Sequence, residues 1–451
     1  MARAAFPLEL VVHVLRYVHS ESTLKDRQTL VSCSLVSYAW HELTLPFLFR
    51  EVSFKYENDP YDAGYDEDQK IGLHLREAAA AAKKRAVVPS KAKRLTRFFL
   101  FLHSRSAIAQ AIHELHLLAN HFSSPDNCIT DVGVFVAVLQ SLPNLHILHV
   151  TDVLFDGPLN DILQTCRYLD YRPLSLDKLH YTLTVNEYHT KYLFGRSDFV
   201  NEDRVIWLIG LFMRIGELHL YKLQDVHRAR EPSLLPRAPR VERIIAHSMA
   251  LCDTCHVLRG IDPQAIRHMD LGEIGPADVS VIADLLAGAV NLEHLSFGIL
   301  WLSVESTNAL PASGKLRSQR LQAITIRSAD LNDSAMQVLA NILRSLSSHL
   351  DASPEVPLGR YPITVHLMFC ENPTETRFAS TTLERMVQSA YAINRNYTAE
   401  LDRTLLRLTS SHHGVSRVKL RLSHGTLNGE EWRHLAGLVL PSLGKMNVEL
   451  D

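Results

Sequence analysis

The chain has 451 residues, 46% hydrophobic and 21% charged, a balance that excludes a largely disordered chain. Its net charge of −2 removes any electrostatic case for nucleic acid or an anionic membrane as main partner. Six cysteines, at 33, 128, 166, 252, 255 and 370, are too sparse to staple a chain of this size.

The first eighteen residues carry Glu9, His13 and Arg16 inside an apolar run and lack a clean signal-peptide core. No uncharged apolar stretch reaches the roughly 18 residues of a membrane span. A reducing, intracellular setting is expected: the cytoplasm, with the nucleus left open by a basic run described below.

Residues 6–50 read as a helical module. Pro7 suits a first helical turn, where its missing N–H costs nothing. From Leu8 to Val18 the polar positions Glu9, His13 and Arg16 form one narrow stripe. Leu8, Val11, Leu15 and Val18 lie on one apolar side, and Leu10, Val14 and Tyr17 on another. Such a helix has enough apolar surface for its own bundle and for a partner. A second helix is expected over residues 29–40, and Pro46 is expected to break the helical run. Residues 49–54 (FREVSF) alternate as an opening strand does. Residues 57–70 are acidic and turn-rich. Residues 76–97 combine an alanine-rich stretch with Lys83, Lys84, Arg85, Lys91, Lys93, Arg94 and Arg97, a solvated face or a localisation signal.

Beyond residue 110 the chain repeats a unit: an apolar residue, two variable ones, an apolar, one variable, an apolar. It starts at Ile112, Leu145, Leu176, Ile215, Val241, Ile266, Leu292 and Leu321, with weaker matches at Val415 and Tyr361. From Ile215 the spacings are 26, 25, 26 and 29 residues, after longer ones of 33, 31 and 39. The shorter set falls at the period of leucine-rich repeats, about 20–29 residues. Helical patterns at residues 130–142, 202–216, 276–290, 332–346 and 428–440 lie between the units. One strand and one helix per unit, stacked, bury a continuous core. The expected fold class is therefore α/β: a helical module over 1–50, a first strand, acidic loop and basic helical linker over 51–110, and a leucine-rich repeat solenoid over 111–451, with parallel strands on the concave face.

In this template the second and third apolar positions point inward, so the residue between them points out. That residue is His116, His149, His180 and His219 in the first four units and Asp270, Ser296, Thr325 and Lys419 in later ones. In register the histidines would form a column on the concave face, with Tyr221, His247, His268, His294 and Arg327 alongside. The column reads as polar filler or as a recognition stripe for a protein substrate. Stacked histidines without a cysteine or ordered carboxylate make a poor closed zinc site, so neither metal nor cofactor is expected. Cys252-Asp-Thr-Cys255-His256 matches a haem-attachment pattern by spacing only, and reads as repeat-loop cysteines. His113-Glu114-Leu115-His116 has the wrong spacing for a metalloprotease helix and falls on a strand. No phosphate loop, dinucleotide fingerprint or nucleophile elbow is present in the sequence, so no catalysis is expected.

The N-terminal module resembles an F-box. The family opens on Leu-Pro-x-Glu-Leu, and this chain has Phe6-Pro7-Leu8-Glu9-Leu10, then Val14, Leu15 and Val18. Cys33, Val36 and Trp40 follow the family's Cys-x-x-Val-x-x-x-Trp segment, with Tyr38 where a basic residue is common. Leu45 to Val52 resembles the linker of fungal F-box-like proteins. The resemblance implies docking on a Skp-family adaptor of a cullin-RING ubiquitin ligase through Pro7, Leu8, Leu10, Val14, Leu15, Val36 and Trp40, while the solenoid holds a protein substrate. A repeat scaffold without a ubiquitin role and a metal-dependent enzyme are the alternatives.

Overall fold

A computed structural model describes residues 11–15, 24–56, 93–119, 129–156, 172–182, 208–221, 238–247, 260–274, 286–299 apart from 287, 318–328 apart from 319, 364–369, 395–410, 419–424 and 448–450, with single positions at 340, 344, 384, 430, 431, 434, 437, 438, 441 and 442. Pro7, Leu8, Leu10, the acidic loop, most of the basic run and Cys252-Cys255-His256 lie outside the described residues. The chain divides into two compact units, Met1–Arg214 and Ile215–Asp451.

The first unit begins with helical residues 11–15 and then α1 (Leu24–Ser34) and α2 (Tyr38–Leu48). The helix expected over 29–40 is two helices. Ser37 takes an extended backbone, and its side chain accepts a hydrogen bond from the Trp40 N–H, capping a new helix. Pro46 does not end that helix at once. It sits in the last turn, where losing one N–H is tolerated, and the helix stops two residues later. The Phe49 N–H closes the end on Leu45 O.

β1 (Glu51–Tyr56) follows, then α3 (Lys93–Ser104), α4 (Ser106–Ala111) and β2 (Glu114–Ala119). Next come β3 (Ile129–Asp131), α5 (Val132–Gln140), β4 (Ile147–Thr151), β5 (Leu154–Asp156) and β6 (Leu174–Thr182). The main sheet of this unit runs β1-β2-β4-β6, all parallel, and β3 pairs with β5 beside it. Parallel neighbours require a crossover each time, and α5 supplies one between β2 and β4. Its residues from Val134 to Leu139 are all buried. The Phe54 ring meets Phe98 of α3 with centroids 5.7 Å apart.

The second unit carries β7 (Phe212–Tyr221, beginning just before it), β8 (Arg240–His247), β9 (His268–Ile274), β10 (His294–Ile299), β11 (Ala323–Ser328), β12 (Thr364–Phe369), α6 (Arg395–Ser410), β13 (Lys419–His424) and β14 (Val448–Leu450). These strands lie side by side in chain order. The pairs from β8 onward are parallel. The helical pattern read over 202–216 is cut short here: residues 208–210 are helical, but the strand starts at Phe212. From there Phe212, Ile215, Leu218 and Leu220 are buried along the strand, and sheet pairing overrides the helical spacing.

The repeat template is directly visible in the packing. From Ile112 to Ile324, every residue at its three apolar positions is buried, none more than 6% exposed. Successive units are joined by one recurring device. The carbonyl of the residue before a strand accepts two consecutive backbone N–H groups from the next unit, at or within its strand. His113 O does this for His146 and Ile147, His146 O for Asp177 and Lys178, and Arg267 O for Glu293 and His294.

Candidate functional site

Alternation along each strand divides the sheet into a buried face and a partly open one. Leu115 and Leu117 are buried on β2, and His116 between them is directed to the other face. Register then places His116 opposite His149, and His149 opposite His180. The three imidazoles stack: His116 and His149 have centroids 4.1 Å apart, His149 and His180 4.2 Å. Three of the four histidines expected in the column, His116, His149 and His180, thus stack across β2, β4 and β6. A second, parallel stack lies one step away, where His113 meets His146 at 5.3 Å. His113 and His116 therefore belong to different stacks.

The column has a carboxylate partner that the spacing argument left out. Glu114, two residues before His116, shares its face. Glu114 Oε1 lies 2.9 Å from His116 Nε2 and 3.1 Å from His149 Nε2. Glu51 of β1, the register partner of Glu114, comes within 3.4 Å of His116. The sequence signal was the period of two within the strand: Glu-x-His is a same-face pair. Burial holds the His149 imidazole below the ordinary histidine range, and its neighbour His116 pushes the same way; Glu114 opposes both. His113 is lowered too, by burial and then by His146 and Arg50.

In the second unit His219 hydrogen-bonds Glu217, again a same-face Glu-x-His pair, and its ring stacks on Tyr221 at 6.1 Å. Tyr221 in turn stacks on His247 at 5.6 Å. His268 and His294 are register partners and stack at 4.5 Å, with Glu293 beside them. Arg327 reaches across β10 to the Asp270 carboxylate and to Leu271 O on β9. The β10 residue beside Arg327 is Gly298, which has no side chain to block that path. The last template match needs correction: the in-line residue on β13 is Arg421, opposite His366, whereas Lys419 aligns with Thr364. Leu420 and Leu422, not Val418 and Leu420, flank the in-line residue there.

The N-terminal bundle presents a different surface. Val11, Leu15 and Leu30 form its core, with Cys33, Trp40, Leu43, Phe47 and Leu48 packed around them. Leu15 is thus enclosed within the bundle itself, and Trp40 packs on that core. Val14, Val31, Leu35, Val36 and Tyr38 face outward, Leu35 and Tyr38 being 81% and 79% exposed. Five large apolar side chains are thus exposed on one 25-residue segment, more than a small bundle leaves open without a partner. Residues 4–55 match the F-box-like family. The F-box-like module accounts for the helices 11–15, α1 and α2 and ends in β1. F-box domains generally bind Skp-family adaptors, and the module suggests a role in ubiquitin-ligase adaptor function. No curated protein matches the chain. Among the described residues no helix is long and apolar enough to cross a membrane.

Proposed function

We propose that the chain is a non-catalytic substrate-recognition subunit of a Skp–cullin–F-box ubiquitin ligase. The observation that carries this reading is the coincidence of the F-box-like match over 4–55 with the outward apolar set Val14, Val31, Leu35, Val36 and Tyr38. Exposed apolar side chains on a small bundle gain about 25 cal/mol per Å² when a partner covers them. The strand-and-crossover units beyond residue 110 are read as a leucine-rich repeat solenoid, supported by the template burial and the parallel register. On this reading the open strand faces hold a protein substrate, with His116, His149 and His180 offered by the first unit and His219, Tyr221, His268, His294 and Arg327 by the second. The chain then supplies proximity, and the partner ligase supplies the chemistry.

The test is co-purification of the full chain with a Skp-family adaptor, followed by titration calorimetry. A one-to-one complex is expected. Absence of binding by folded protein would remove the ubiquitin role and leave a repeat scaffold.

A further inference from the structure

The geometry points to a binding site for one divalent transition-metal ion, such as Zn²⁺, held by Glu114, His116 and His149, with the exposed Glu51 carboxylate, 3.4 Å from His116, able to swing in as a fourth ligand. It is independent of the ubiquitin reading, because it uses only donors on β1, β2 and β4.

Topology brings the four donors together. Glu114 and His116 are two apart on β2 and share its open face, while Leu115 between them is buried. His149 is the register partner of His116 on β4, and Glu51 that of Glu114 on β1. Neighbouring strands lie about 4.8 Å apart, so three strands deliver four donors to one patch.

For Glu114, His116 and His149 the distances are near those of shared ligands. An ion about 2.0–2.1 Å from each nitrogen holds its tetrahedral ligands roughly 3.3 Å from one another. Here the donor separations are 2.9 Å (His116 Nε2 to Glu114 Oε1), 3.1 Å (His149 Nε2 to the same oxygen) and 3.4 Å (His116 Nε2 to Glu51 Oε1). The ligating atoms of Glu114, His116 and His149 all lie within 4.8 Å of one another. The two ring planes are 3° from parallel, so one imidazole must turn about its Cβ–Cγ bond for both lone pairs to meet one ion. The side chains of His116 and His149 are 20% and 24% exposed, which gives room for that turn and a path for the ion.

Donor chemistry selects the ion class. Two imidazoles with carboxylates suit zinc, copper or nickel, whereas magnesium and calcium prefer all-oxygen shells. The carboxylates of Glu51 and Glu114 offset the ion's charge. The similar group His268, Glu293 and His294 of the second unit lacks that balance. Its His268–Glu293 distance is 3.9 Å, and Arg267 already lies 3.8 Å from the same carboxylate group. An ion at the first site would also clamp β1 to β2 and β4, and so raise the melting temperature of the folded chain.

The experiment is calorimetric titration of the full chain with Zn²⁺ and, separately, Mg²⁺, with a thermal melt at each end point. One Zn²⁺ per chain, a raised melting temperature and no Mg²⁺ binding are expected. Affinity should fall at least tenfold in His149→Asn and in Glu114→Gln, and stay unchanged in the His268→Asn/His294→Asn double variant. Circular dichroism checks that each variant is folded. If a variant does not fold, imidazole C–H resonances of the wild-type chain replace it: paramagnetic Ni²⁺ should broaden those of His116 and His149 first. No Zn²⁺ binding by the wild type, unchanged affinity in the folded single variants, or broadening that spares both histidines overturns the site.

Discussion

The imidazoles of His116 and His149 lie face to face, 4.1 Å between centroids, because the residues are register partners on adjacent parallel strands. The same register puts Leu117 opposite Val150 on the buried face. Neighbours in sequence thus meet opposite environments, and their substitutions should separate cleanly. Leu117→Ala leaves a cavity in a fully buried position and should cost about 2–5 kcal/mol. His116→Asn, on the open face, should cost less than about 1 kcal/mol. Urea unfolding followed by circular dichroism measures both; equal losses would mean the two faces are wrongly assigned.

Two asparagines just ahead of the template act as ties between units. Asn144 Nδ2 donates to Gln110 O, and Asn291 Nδ2 donates to Gln264 O, each at 2.8 Å. Both acceptors sit two residues before the preceding template, so the two bonds are equivalent in different units. Asn144→Ala should cost about 0.5–1.5 kcal/mol, the usual net value of one such bond. Asn144→Asp should be no better, because a carboxylate faces the carbonyl with no proton to give. A midpoint for Asn144→Asp equal to wild type would show that the bond contributes nothing.

How far the sequence could be read follows from which pattern governed each residue. Burial at Ile112, Leu115 and Leu117 was legible because an inward face enforces strict spacing. The histidine column followed from that spacing alone. Glu114 was missed as its partner because the template treated the position as variable, although the strand period of two puts it on the face of His116. The break at Ser37 was hidden by continuous apolar spacing, and only its capping hydroxyl signals it. Phe212 to Gly216 satisfied a helical pattern equally well, and neighbouring strands decided between the two. On β13 the apolar triplet Val415, Val418 and Leu420 fits the template, yet register selects Arg421 over Lys419, and the shifted triplet begins at Arg417, a charged residue the template passes over.

Val36 and Trp40 both belong to the F-box-like segment, yet they do different work. Val36 is 66% exposed, whereas Trp40 packs on the core of Val11, Leu15 and Leu30. Val36→Asp should leave the helical signal intact and weaken adaptor binding by tenfold or more, since a charge in an apolar interface loses its hydration. Trp40→Ala should loosen the bundle and lower binding through that loss of structure. Calorimetry with the adaptor, paired with near-ultraviolet circular dichroism, distinguishes the two. Full affinity in folded Val36→Asp would place the docking surface elsewhere.

His268 gives the fold a pH dependence whose sign is fixed by its surroundings. Burial lowers its pKa below the ordinary value of 6.5, and His294, stacked on it, acts in the same direction. Arg243 on β8 and Arg267 just before β9 add to the lowering, while Glu293 opposes it. Asp270, on the same strand, is engaged by Arg327. Above about pH 6.5 the ring is neutral in both folded and unfolded chains, and pH has no effect through it. As pH falls through that value the unfolded chain takes up the proton first, so stability declines until the folded imidazole also titrates. His113 and His149 are lowered as well and contribute in the same sense. Melting temperature should therefore drop between pH 7.5 and 5, and drop less in His268→Asn, whose side chain cannot take up the proton. Thermal melts across that range for the two proteins supply the check. Parallel curves would mean that His268 titrates alike in the folded and unfolded chain.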